Sequence, residues 1–161
     1  MKISLIILTL ISTSLIGCTT VEHNKVSKKS KYTQEEEKLI AELLYNASDE
    51  MLMEYVKAVS NYDAVKNLSS ASNQEKQRLY NIMESSLTKI LTEKNTARPV
   101  CNHQQTLKDY FFIEREVNKA RISNPNSNPK LLGDAILFDM STHRAACIMR
   151  LSFVTIVHSK N

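Results

Sequence analysis

The chain has 161 residues, with 21 Lys and Arg against 17 Asp and Glu for a formal charge of +4, and only 2 glycines. That length suits one domain with a modest core, and so few glycines exclude a Gly-rich phosphate cradle. The basic excess does not point to nucleic acid. Lys2, Lys25, Lys28, Lys29 and Lys31 carry it, and residues 33–161 hold equal numbers of acidic and basic side chains, whereas a nucleic-acid reader places positive charge on its folded face.

Lys2 is followed by an apolar run from Ile3 to Ile16, broken by Ser4, Thr9 and Ser12-Thr13-Ser14, and then by Gly17 and Cys18. The run has 14 residues, short of the roughly 20 that a membrane-spanning helix needs. Lys2 holds its start on the cytoplasmic side, and the small Gly17 lets the following bond sit closely in a peptidase site. Cys18 then supplies a thiol for acylation and, after cleavage, a free amine for a further chain. Several chains, at about 0.8 kcal/mol per buried CH₂, make such an attachment durable.

Leu15-Ile16-Gly17-Cys18 matches the lipobox at every position, and the leader resembles that of bacterial lipoproteins. The resemblance implies a signal peptide over 1–17 and lipidation at Cys18. Because Thr19 rather than Asp follows the cysteine, it also implies sorting to the outer membrane, with the domain facing the periplasm. Residues 18–32 are polar and lysine-rich without an apolar period, as expected of a tether. Attraction of its lysines to anionic headgroups and plain flexible linkage explain that charge equally well.

The helical domain is expected over 33–161. Thr33-Gln34-Glu35-Glu36 has the capping-box pattern, and Leu39, Ile40, Leu43, Leu44, Ala47, Met51, Tyr55 and Val59 recur at helical spacing. One long amphipathic helix over 34–59 is predicted. A second starts near Asn73 and buries Leu79, Ile82, Met83, Leu87, Ile90 and Leu91. Pro99 fits the start of a third, which runs from Val100 or Gln104 to Ile122 and carries Tyr110-Phe111-Phe112. Ser123-Asn124-Pro125-Asn126-Ser127-Asn128-Pro129 is a break. A fourth helix over 130–156 follows, with Gly133 permitting close packing and a strand as the alternative for the β-branched run 152–157. The fold class is thus all-α: a compact bundle of about four helices.

With Cys18 acylated, Cys101 and Cys147 remain as an even pair in an oxidising compartment, so a disulfide is predicted, with two separately buried thiols as the alternative. Metal binding is not supported, because the Cys101/His103 pair lacks the other half of a zinc site. Of the remaining histidines, His23 lies in the tether and His158 at the tail. His143 would approach His103 through the disulfide, without a third ligand or a Cys-x-x-Cys motif. Glu54, Glu84, Glu114 and Asp139 are explained by solvated helix faces. No cofactor and no catalytic residue is predicted, and the chain reads as a non-enzyme.

A binding protein fits better. Met51-Leu52-Met53 and Tyr110-Phe111-Phe112 each present more consecutive apolar side chains than one helix face buries. Met51, Met53, Tyr110, Phe111 and Phe112 are therefore candidates for contacting an amphipathic helix of a partner; a larger core or a homodimer contact would use the same residues. The layout of leader, tether, helical domain and disulfide resembles the small helical pilotin lipoproteins of secretion systems. That likeness implies an envelope protein partner, the tail of a secretin subunit, escorted to the outer membrane through the adaptor's own acyl chains. A conjugation- or phage-exclusion lipoprotein, a toxin-immunity lipoprotein and a small envelope enzyme are the competing readings.

Overall fold

The computed structural model describes residues 33–93 and 100–157. The leader, the tether, Cys18 and Pro99 lie outside the described residues. The described residues form six helices and no strand: α1 Gln34–Asn46, α2 Asp49–Lys66, α3 Asn73–Thr92, α4 His103–Ser123, α5 Pro129–Asp139 and α6 Thr142–Val157. Six helices replace the expected four because two of the long segments are broken.

The first break falls inside the predicted 34–59 helix. Thr33 opens α1 with the expected capping box: its hydroxyl accepts from the Glu36 amide at 3.2 Å while its own amide donates to the Glu36 carboxylate at 2.9 Å. Ala47 and Ser48 then turn extended, with ψ of 156° and 158°. Ser48 caps α2 by accepting from the Met51 amide at 3.2 Å, and Asp49 and Glu50 complement the positive end of the new helix. The apolar period runs on across the break and masks this cap.

The second break divides the predicted 130–156 helix. Met140 is extended, with ψ of 161°, and the Ser141 carbonyl accepts from the Ala145 amide at 3.0 Å to start α6. α5 lies chiefly on α4, whereas α6 lies on α1 and α2. One straight rod cannot follow both surfaces. The β-branched end is helical through Val157 rather than a strand, tertiary packing overriding its local preference.

α2 is the central element, packed against α3, α5 and α6. Met51, Leu52, Met53, Tyr55, Val56 and Val59 are all buried, so the helix is apolar nearly all round, as a core helix must be. The Met51-Leu52-Met53 run is explained by this position: Met51 and Met53 are 6% and 5% exposed and belong to the core, not to a binding surface. The Tyr55 hydroxyl has no hydrogen-bond partner among the described residues. Burial first, then the charges of Glu84 and Asp63, raise its proton affinity far above the ordinary tyrosine value.

Polar contacts hold the outer helices on this core. The Ser60 hydroxyl of α2 donates to Asp134 of α5 at 2.5 Å, and Lys130 lies 3.0 Å from Asp134 and 3.6 Å from Asp63. Arg150 of α6, only 3% exposed, donates to the carbonyls of Tyr45 and Ala47 at 3.0 and 2.7 Å and to the Asp49 carboxylate at 2.6 Å. It thereby satisfies the end of α1 and the start of α2 together. The disulfide joins Cys101, just before α4, to Cys147 of α6, with Cα atoms 5.6 Å apart and a sequence separation of 46. A loop of that length restricts the unfolded chain by about 4 kcal/mol in the chain-entropy picture.

Two substitutions probe this account. Arg150→Met removes the donor to two carbonyls and to one Asp49 oxygen, and is expected to lower unfolding free energy by about 3–5 kcal/mol in urea titrations. Gly133→Ala acts in the opposite direction. An added Cβ would lie 3.8 Å from Val117 and 3.9 Å from Ile113, ordinary contacts, so the helical gain of about 0.5–1 kcal/mol should appear as a raised urea midpoint.

Candidate functional site

α4 is the least embedded of the longer helices. Asn102 caps it by accepting from the Gln105 amide at 3.0 Å, while the Thr106 hydroxyl donates to the Asn102 carbonyl at 2.8 Å. Its buried residues are Thr106, Asp109 and Ile113, at spacings of three and four, which define one narrow stripe. Two of the three are polar. The stripe is therefore fixed less by apolar burial than by an ion pair: Arg144 of α6 donates from Nε and Nη2 to Asp109 at 2.8 and 2.6 Å, and Gln105 adds a bond of 2.7 Å. The hydrogen bonds from Arg144, ahead of opposing desolvation, hold the Asp109 carboxyl below the ordinary aspartate range.

This narrow seam leaves apolar side chains outside. Phe111 is 60% and Phe112 42% exposed. On one flank, Leu107, Tyr110 and Phe111 face Ile148, Met149, Leu151 and Ser152 of α6 across a groove of about 290 Å³. On the other, Phe112 and Glu116 face α5 and the α5–α6 corner, including Ile136, Met140 and Arg144, across an open depression of about 830 Å³. The rings are held in place: Tyr110 and Phe111 meet edge to face at 5.6 Å, the Tyr110 hydroxyl donates to Glu114 at 2.8 Å, and Arg115 lies 5.6 Å above Phe112.

Of the sequence-derived candidates, Tyr110, Phe111 and Phe112 are thus brought to one surface with two flanking concavities. Met51 and Met53 are not part of it, and Cys18 lies outside the described residues. Leu107, Ile148 and Leu151 were not singled out by sequence, although they line the first groove. Ile148 is at the same time a core residue, only 3% exposed, and the shallow seating of α4 is what leaves a groove above it.

No group of three metal-ligating side chains occurs among the described residues, and no helix there is long and apolar enough to cross a membrane. Comparison with protein-family models, curated proteins and solved structures finds no match to this chain.

The ion pair beneath the surface makes a pH dependence. A carboxyl whose folded value is depressed stabilises fully above its unfolded value, about 3.9 for aspartate, and loses that contribution as pH falls through the folded value. The stability difference between wild type and Asp109→Asn should accordingly be constant above about pH 5 and shrink below about pH 4, as read from urea midpoints across that range.

Proposed function

We propose that this chain is a lipid-anchored adaptor of the bacterial envelope, non-catalytic in its main role, which presents α4 to an amphipathic helix of a protein partner. The observation that carries the reading is the pair Phe111 and Phe112, exposed over grooves on opposite flanks of one helix. Adjacent exposed rings beside two concavities are costly to leave in water, and aromatic side chains are enriched in the cores of protein interfaces. The α6-side groove, apolar except for Ser152, matches the apolar stripe of such a helix, and the Glu116, Asp139 and Arg144 charges near the other flank suit its polar rim.

The lipobox supplies the address. Acylated at Cys18 and connected through residues 19–32, the domain would sit on the periplasmic side of the outer membrane. The finer reading is pilotin-like, with the tail of a secretin subunit as the helix received by α4. What supports it is the leader motif together with a small disulfide-linked helical domain.

A crosslinking pull-down from membranes tests this reading with wild type, Cys18→Ala and Phe111→Ser/Phe112→Ser. The expected outcome is enrichment of an envelope-complex subunit by wild type, and a loss of at least about tenfold with the double variant at unchanged thermal stability, since central aromatic contacts carry 2 kcal/mol or more. Cys18→Ala should appear in the soluble periplasmic fraction. Recovery of the chain alone would replace the adaptor reading with self-association, and a membrane-bound Cys18→Ala would overturn the anchor.

A further inference from the structure

The surroundings of the disulfide are polar and directed, where a bridge that only staples two helices needs apolar packing alone. Cys147 is 4% exposed, whereas Cys101 is partly open to solvent. His143 Nε2 lies 3.8 Å from the Cys147 sulfur, one helical turn away on α6, while its Nδ1 lies 2.7 Å from Asp49 Oδ2. The other Asp49 oxygen is held by Arg150 at 2.6 Å, and the same guanidinium nitrogen lies 4.0 Å from the Cys101 sulfur. Asp49 accepts the Nδ1 hydrogen and so turns Nε2 toward sulfur. The result is a Cys–His–Asp line ending on one half of a disulfide, with a fixed cation beside the other half.

We propose that Cys101–Cys147 is a thiol-exchange site, which takes a cysteine pair of a protein partner as its substrate. The partner's thiolate attacks the sulfur of Cys101, the less buried of the two cysteines. A partner–Cys101 disulfide forms, the Cys101–Cys147 bond breaks, and its electron pair leaves on Cys147, which takes a proton from the Nε2 of imidazolium His143. The partner's second thiolate then attacks its own sulfur in the mixed disulfide, closing a disulfide in the partner and expelling Cys101 as a thiolate beside Arg150. The partner dithiol loses two electrons, which the two cysteines of this chain gain; its two protons pass to solvent as its thiolates form, one proton reaches Cys147 through His143, and Cys101 is left as the thiolate. His143 and Arg150 lower the cost of placing negative charge on each leaving sulfur in a largely buried site, the factor that governs leaving-group rates in exchange. His143 is half-exposed, at 54% of its side chain, so it recovers its proton from solvent.

The site is independent of the α4 docking surface in its residues. Its test uses the detergent-extracted full-length protein with reduced glutathione as the probe, followed by acid quenching, alkylation and mass spectrometry. The expected result is a glutathione adduct on Cys101, with Cys147 alkylated, while circular dichroism reports an intact fold. His143→Ala should slow adduct formation at least about tenfold, as loss of a general acid does, and the exposed His103→Ala should leave the rate unchanged. An adduct on Cys147, adduct formation only in denaturant, or a wild-type rate in folded His143→Ala would each overturn the proposal. The position of the adduct in wild type is read without any variant.

Discussion

Arg150 is the residue on which the arrangement of this domain turns. The corner between α1 and α2 exposes helix-end carbonyls at the point where the apolar period would otherwise carry a single helix straight through. A guanidinium reaching in from α6 takes two of those carbonyls and the Asp49 carboxylate. Without that donor, buried acceptors would lack partners and a continuous helix would compete with the corner. With it, α1 folds away from the axis of α2, and α6 gains a place against both. α2 can then be enclosed, and its run of apolar residues becomes core.

The same helix fastens α4 by different means. Arg144 and Cys147 are both on α6, one pairing with Asp109 and the other with Cys101. An ion pair and a covalent bridge fix α4 with little need for a broad apolar interface, so rings that would otherwise be buried stay at the surface. Fastening by charge and sulfur thus explains how an exposed aromatic face can belong to a well-defined fold. It also places a redox-sensitive bond on the element that carries the candidate docking face.

What could be read from sequence was what local chemistry decides. The Thr33 capping box, the Asn/Pro break before α5 and the all-helical class follow from spacing and side-chain hydrogen bonds within a few residues. The two extra breaks do not. Ser48 is an adequate cap, but the uninterrupted period from Leu39 to Val59 outweighs it until Arg150 arrives from 101 residues beyond Asp49. The sign of that distant partner was present as a lone guanidinium within Ile148-Met149-Arg150-Leu151, an arrangement that asks for a buried acceptor. Met51 and Tyr110 illustrate the same limit for the candidate site. Both lie in apolar clusters on helices, and which cluster is enclosed depends on how many neighbours each helix acquires.

The disulfide also changes what a cut in the backbone means. Cys101 and Cys147 flank α4, α5 and the exposed Asn124–Asn126 turn, which makes that turn the tip of a covalently closed loop. A protease that cleaves there severs the chain between α4 and α5, yet the fragments stay joined through sulfur and α4 remains attached to α6. The molecule would migrate as one species without reductant and as two with it, so the exposed tip is a place where continuity of the peptide chain and integrity of the domain are separable.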